Sequence, residues 1–310
     1  MTAPWRTRAR IGLELAVGGL QLRALERAIS AVASVRAGTT PDGVAYFARP
    51  ARRGLPLVGI HGFGGDKEGW LFLAALTRRS RGIVGIDLPG HGRSGDVPEA
   101  RASIRHHAEA VVRTLDHLRI DRAILCGSSM GGGVALRLAA SWSDRVAGIV
   151  LVSSVGRDVH TAALPWVSGD NPLIPDEHDI DRFMAIALER PPPVGRPVIR
   201  YVVTQRVRRA DALRRLFRGF VLAGGEAGVP RDVTKIRCPA LVIHGEQDRI
   251  IDMRTSEDLR AALPRAELIV MRGVGHAPQL EAPRSTSRLV ERFARALDGE
   301  SPRSARIAAL

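Results

Sequence analysis

The stretch CGSSMGGG, residues 126–133, sets two serines between two groups of glycines. Ser129 is the centre of a G-x-S-x-G pattern, Gly127-Ser128-Ser129-Met130-Gly131. Centring the pattern on Ser128 would require glycines where the chain has Cys126 and Met130. On a tight strand-to-helix turn, such a pattern lifts the central hydroxyl above a sheet. The flanking glycines remove side chains that would strike neighbouring backbone. A serine hydroxyl needs a base at neutral pH. His276, in GVGHAPQLEAP, lies just past the last strand-like run, where open parallel sheets carry their sites. Asp248, in HGEQDRI, lies past another such run and is the carboxylate to fix the imidazole tautomer and stabilise its cationic form. His61, His91 and His244 lie near the same edge and stay open as bases. Asp252 and, less within reach, Glu246 stay open as acids. His106, His107 and His117 fall on a helix and read as a solvated face.

The chemistry these groups could perform is acyl transfer through a covalent serine adduct. The order Ser129, Asp248, His276 is the one expected of a strand–turn–helix nucleophile on an α/β sheet. The oxyanion that forms needs donors. One is the backbone N–H of Met130, directly after the serine; the other is the N–H of Phe63 in HGFGG, where Gly62, Gly64 and Gly65 let the backbone approach. Asp87 in DLPGHGRSG reads as a brace for its loop. No His/Cys/Asp grouping has metal-ligand spacing, and the glycines lack the Lys-Ser/Thr of a phosphate loop, so neither a metal nor a cofactor is expected.

Elements that could position these residues are legible from texture. Strand-like runs are Val44–Ala48, Leu55–Ile60, Gly82–Ile86, Ala123–Cys126, Val146–Val152, Ala240–Ile243 and Glu267–Met271. Helical stretches are Ile104–Leu118, Val134–Ala140, Ser256–Leu263 and Arg284–Leu297. Runs apolar on every face, alternating with helices, imply a mostly parallel sheet covered on both sides. The alternation lapses between about Val155 and Arg231, a Pro- and Arg-rich stretch that reads as an inserted helical cap. The chain therefore divides into an N-terminal helix (1–36), a first core part (37–154), the cap (155–230) and a second core part (231–310). Phe183, Met184, Phe217 and Phe220 are candidates for an apolar acyl pocket in the cap, or for the cap's own core.

The 310 residues carry a formal charge of +14, yet 44 of the 46 basic residues are arginine and they are scattered. That lopsided ratio reads as codon bias, and no aromatic-interleaved basic motif accompanies it, so nucleic acid is not the expected partner. Anionic membrane surfaces suit the charge better. Hydrophobic residues are 45% and aromatics 4%, so the core must be Leu, Val, Ile and Ala. The two cysteines, Cys126 and Cys238, adjoin buried-strand runs and are expected reduced, as in a cytoplasmic protein. The N-terminal WRTRARIGLELAVGGLQLRALERAIS begins like a signal peptide, but Glu14 and Arg23 interrupt it and no clear cleavage site follows. It is too short and polar to span a bilayer. Its apolar positions Ile11, Leu15, Leu22, Leu25, Ile29 and Val32 make one helix face. That face either packs on protein or lies on a membrane surface.

HGFGGDKEGW, DLPGHGRSG, GSSMGG, HGEQDRI and GVGHAPQLEAP together resemble the α/β-hydrolase superfamily across roughly residues 40–298. The resemblance implies an eight-stranded, mostly parallel sheet with helices on both faces and an inserted cap. Carried over by position, it implies Ser129 as nucleophile, Asp248 as acid, His276 as base, and Phe63 and Met130 as oxyanion donors. HGFGGDKEGW and NPLIP look like bacterial lipases and the monoacylglycerol lipase-like branch, which hydrolyse short to medium acyl esters. Carbon–carbon bond hydrolases of aromatic-ring breakdown share SMGG but usually carry a tryptophan after the histidine, where this chain has Ala277. A non-catalytic membrane-surface or partner-binding protein on a hydrolase scaffold is the alternative of another class.

Overall fold

The computed structural model describes residues 4–156, 180–190, 194–222, 229–230 and 232–300. Their elements run α1 (Pro4–Ala33), β1 (Arg36–Thr39), β2 (Ala45–Arg49), β3 (Leu57–Ile60), α2 (Leu71–Leu76), β4 (Ile83–Ile86), α3 (Ile104–His117), β5 (Ala123–Ser128), α4 (Met130–Ser141) and β6 (Val146–Val152). After α5 (Ile180–Ala187), α6 (Arg196–Arg208) and α7 (Ala210–Leu222) come β7 (Ala240–Gly245), α8 (Met253–Ala262), β8 (Ala266–Met271), α9 (Pro278–Glu281) and α10 (Pro283–Leu297).

The eight strands form one sheet in the order β1-β2-β4-β3-β5-β6-β7-β8. The β1–β2 and β2–β4 pairs are antiparallel, and every other pair is parallel. Successive strand residues face opposite sides. Thus Val58, Val84 and Leu125 pack under α3 and α4, with Val111, Leu115 and Leu136. Leu57, Ile83 and Ile124 go to the other face with Trp70, Leu73 and Val290 of the α2 and α10 side. Both faces are covered, which is why these short runs carry no alternation. Burying each such side chain contributes about 1.5–3 kcal/mol.

The helical insertion between β6 and β7 is present as α5, α6 and α7, as the sequence suggests. NPLIP lies outside the described residues. Three element readings change. The edge strand β1, sequence RAGT, is mostly exposed and has no apolar alternation to betray it. Helix α4 starts at Met130, four residues before the expected Val134, because Gly131, Gly132 and Gly133 are helical despite their low propensity. They are there for space: a Cβ on Gly131 would lie 2.2 Å from the Ile60 carbonyl oxygen, and one on Gly132 1.9 Å from Ser154 Oγ. Helix α8 starts at Met253 with Asp252 as its N-cap, the carboxylate accepting from the Arg254 N–H at 2.9 Å.

In α1 the packed face also differs from the expected one. Ile11, Leu25 and Val32 are exposed, whereas Gly18, Gly19 and Ala33 are buried, flanked by half-buried Leu15, Leu22 and Ile29. Apolarity alone misses a face centred on glycines. A Cβ on Gly18 would meet the Pro197 carbonyl oxygen at 2.0 Å, and one on Gly19 the Tyr201 ring at 2.8 Å, so the glycines let α1 lie directly on α6. Glu14 pairs with Arg200 at 3.1 Å across the same contact.

Candidate functional site

Ser129 follows the last residue of β5 and precedes the first of α4, with φ 53° and ψ −118°. A positive φ is costly for a residue with a Cβ, about 1–3 kcal/mol, and persists only where surroundings over-determine it. Here the Ser129 N–H donates to Val152 O at 2.9 Å, and its carbonyl accepts from Gly132 at 3.0 Å and Val155 at 3.1 Å. Gly127 allows the turn to close, since a Cβ there would fall 2.3 Å from the Gly131 carbonyl oxygen. Ser128 is the last residue of β5, and its hydroxyl accepts from Gln279 Nε2 at 3.2 Å. That bond ties the His276 segment to the serine turn.

Asp248 follows β7 and His276 follows β8, neighbours in the sheet. A Cβ on Gly245 would sit 2.0 Å from the Gly275 carbonyl oxygen, so the two loops press together backbone to backbone. His276 Nδ1 lies 2.8 Å from Asp248 Oδ2 and 3.0 Å from Oδ1. A carboxylate only accepts, so Nδ1 carries the proton and Nε2 is left as the basic nitrogen. Asp248 Oδ1 also accepts from the N–H groups of Ile250 at 2.8 Å and Ile251 at 3.0 Å. Burial would raise the Asp248 pKa, but the adjacent His276, their hydrogen bond and the Ile251 amide outweigh it and hold the carboxyl below its ordinary value.

The rivals hold other positions, His244 the nearest of them, its Nε2 3.8 Å from Asp248 Oδ2. Asp252 caps α8, and Glu246 accepts from the Gln247 side chain at 2.8 Å. His61 Nε2 accepts the Leu88 N–H at 3.0 Å, and His244 Nδ1 bonds Ser256 Oγ at 2.7 Å. His91 is buried, tilted against His61 at 5.0 Å and edge-on to His107 at 5.8 Å. His107 is a correction: it is fully buried, edge-on to Phe220 at 5.0 Å, not part of a solvated face. Asp87 braces its surroundings as expected, accepting from the Lys67 and Arg93 N–H groups and from Lys67 Nζ, at 2.7, 2.9 and 2.8 Å.

The HGFGG loop after β3 reaches the serine turn. A Cβ on Gly62 would lie 3.0 Å from Ser129 Cβ and 3.6 Å from Ser129 Oγ. Phe63 packs on His91, Phe217 and Phe220 at centroid distances of 5.8, 5.6 and 6.4 Å. Phe183 lies beneath the Arg206 guanidinium at 5.0 Å. Two residues escaped the sequence reading. Glu281 gathers four amides, those of Gly275, Ala277, Glu189 and Arg190, at 2.8–3.0 Å, binding the His276 loop to the end of the α5 segment. Arg206 donates to the carbonyls of Phe63 and Gly64. Neither role has a local sequence signal, because both depend on tertiary approach. Among the described residues, no group of three or more His, Cys, Asp or Glu side chains could hold a metal ion.

Residues 57–289 match the model of the alpha/beta hydrolase family. A dihydrolipoyllysine-residue acetyltransferase component of an acetoin cleaving system from Pseudomonas putida is 31% identical over 81% of this chain, which spans 66% of that relative's length. Lipase 3 of a Moraxella species is 26% identical over 79% of both chains. A 2-hydroxymuconate semialdehyde hydrolase of Pseudomonas putida is 30% identical over 77% of this chain and 87% of its own. Among solved structures, a bacterial membrane phospholipase A superposes with a TM-score of 0.82 at 26% identity, covering 94% of this chain and 96% of that one.

Proposed function

The chain belongs to the alpha/beta hydrolase family, and from that premise we propose that it is a serine hydrolase of carboxylic esters with short to medium acyl chains, monoacylglycerols among them. The observation that carries the reading is Ser129 forced to φ 53° at the β5–α4 turn, with the Asp248–His276 pair on the same sheet edge. Strain of this kind, held by converging hydrogen bonds, is a mark of functional positions.

In the proposed reaction His276 Nε2 takes the Ser129 proton as Oγ attacks the ester carbonyl. The developing oxyanion is received by the N–H groups of Met130 and Phe63. Met130 is the first residue of α4, so its amide is among those left over by the helix and lies at the positive end of its dipole. His276 then returns the proton to the leaving alcohol, and a water activated by the same imidazole releases the acid. The Asp248 carboxylate, ionised throughout, stabilises each imidazolium. The helical insertion, read as a cap, would line the acyl site, with Phe217 and Phe220 beside Phe63 as its described aromatic wall.

Lipase 3 and the membrane phospholipase A support ester substrates. The semialdehyde hydrolase relative favours a second reading, hydrolysis of a carbon–carbon bond in a ring-cleavage product. A panel of p-nitrophenyl esters and monoacylglycerols beside a ring-cleavage dienone separates them. Ester turnover well above dienone turnover is expected; fast dienone turnover with negligible ester turnover would overturn the ester reading.

We also propose peripheral membrane association through α1. No helix of the described residues is long and apolar enough to cross a membrane. The solvent side of α1 nevertheless carries Leu13 and Leu20, 66% and 63% exposed, together with exposed Arg23 and Arg27. Apolar side chains flanked by arginines suit the surface of an anionic bilayer.

A further inference from the structure

One basic side chain of the insertion reaches the loop proposed to bind the oxyanion. Arg206, near the end of α6, donates from Nη2 to the Phe63 carbonyl at 2.8 Å and from Nη1 to the Gly64 carbonyl at 2.9 Å. The forked guanidinium thus takes two consecutive carbonyls of the same loop with donors fixed in one plane, a geometry that the rotatable ammonium of a lysine does not preset. Room for it is built in. Gly64 has φ +67°, and a Cβ there would lie 2.4 Å from Arg206 Nη2. The Phe183 ring supports the guanidinium from below at 5.0 Å. Burial lowers the Arg206 pKa to about 10, so it is a cation at neutral pH.

These contacts constrain the Phe63 N–H from one side. On the other side, the Gly62 carbonyl accepts from the Gly65 N–H at 3.0 Å and lies 2.7 Å from His61 Nδ1. In a trans peptide the Phe63 N–H points opposite to that carbonyl. With the peptide after Phe63 held by Arg206, and the peptide before it held by Gly65 and His61, little freedom remains for the donor between them. The restraint on one side comes from the insertion, and on the other from the HGFGG segment itself.

We propose that Arg206 is a positioning residue for the oxyanion hole, so that the Phe63 donor is fully aimed only when α6 is docked on the HGFGG loop. The proposal rests on the serine-hydrolase reading above and adds a coupling to it: the contact that docks α6 on the HGFGG loop is also the one that holds the donor. Because α1 lies on α6 through Gly18 and Gly19, the coupling has a physical route to the N-terminal helix.

Arg209 supplies the control. From just beyond the end of the same helix it donates to Gly90 O at 2.8 Å and Gly92 O at 3.1 Å, a carbonyl clamp of the same kind on a loop that contributes no oxyanion donor. The experiment measures kcat and KM for p-nitrophenyl butyrate and inhibition by a trifluoromethyl ketone of matching acyl length, which forms an oxyanion on the serine. Wild type, Arg206→Met, Arg206→Gln, Arg206→Lys and Arg209→Met are compared after thermal melts establish which are folded. Because misplacing a catalytic group by about 1 Å can cost roughly a hundredfold, Arg206→Met is expected to lose roughly 10- to 100-fold in kcat, with KM within about threefold. The ketone should weaken by a similar factor. Arg206→Lys, which keeps a cationic donor without the fixed fork, should recover part of both losses, and Arg209→Met should keep kcat within about threefold of wild type. If Arg206→Met is unfolded, Arg206→Gln, whose uncharged amide ends two bonds short of the guanidinium nitrogens, carries the test: wild-type kcat and ketone affinity in it would overturn the proposal. So would a loss in Arg206→Met no greater than in Arg209→Met, or one confined to KM. Failure of the underlying reading shows separately, as wild type without ester turnover or turnover that survives Ser129→Ala.

Discussion

At the scale of single residues, the site separates groups by what their hydrogen bonds leave free. Asp248 Oδ1 accepts from two amides and both of its oxygens face His276 Nδ1, which suits the proposed role of holding one imidazole tautomer. Asp248→Asn can keep the shape but can offer an N–H to Nδ1, favouring the wrong tautomer. It is expected to lower kcat by roughly 10⁴-fold with little change in KM, as read in steady-state ester hydrolysis; retention of kcat would remove Asp248 from the proposed triad. The residues proposed for the triad are legible as candidates in the sequence because each sits near glycines that have a steric reason: Gly127 against Gly131, Gly245 against Gly275. Glu281 and Arg206 are not, since their partners lie on segments that only folding brings near. His107 misled for the same reason, its neighbour Phe220 being more than a hundred residues away in α7.

Secondary elements show a similar division. All the strands buried on both faces were readable as apolar runs, whereas β1 has no such signature and is defined by its antiparallel pairing with β2. The start of α4 was hidden behind three glycines that serve packing, not helix propensity. Helix α3 carries a consequence for stability. Burial, aided by the nearby His106 and His61, pushes the His107 pKa down to about 3, and His61 and His91 are lowered in the same direction by their own burial. In the unfolded chain an imidazole titrates near 6.5. Below that pH the unfolded chain binds protons that the folded chain does not, so stability is full above about 6.5 and falls as the pH drops toward about 3. For His107 the loss is on the order of 1 kcal/mol per pH unit across that window. Melting of His107→Leu between pH 7 and 4.5 is expected to show a shallower acid decline than wild type; an unchanged slope would contradict the assignment.

For the whole molecule, the sheet presents its carboxyl-end loops to a helical insertion, and α1 lies on that insertion's α6 while leaving Leu13 and Leu20 outside. The sequence indicates this helix and an apolar face for protein packing or a membrane surface; Leu15, Leu22 and Ile29 of that face are half-buried, and the close contact with α6 runs through Gly18 and Gly19. The exposed leucines allow a test that spares the packed side. Wild type is expected to float with liposomes rich in anionic lipid, less so at high salt, and Leu13→Glu/Leu20→Glu to stay with the soluble fraction. Equal flotation of the two would remove α1 from membrane contact. The central claim, that Ser129 is the reacting nucleophile, is tested most directly by labelling with a serine-directed fluorophosphonate. Wild type and Ser128→Ala should be labelled and Ser129→Ala should not; labelling that survives in Ser129→Ala and vanishes in Ser128→Ala would contradict it.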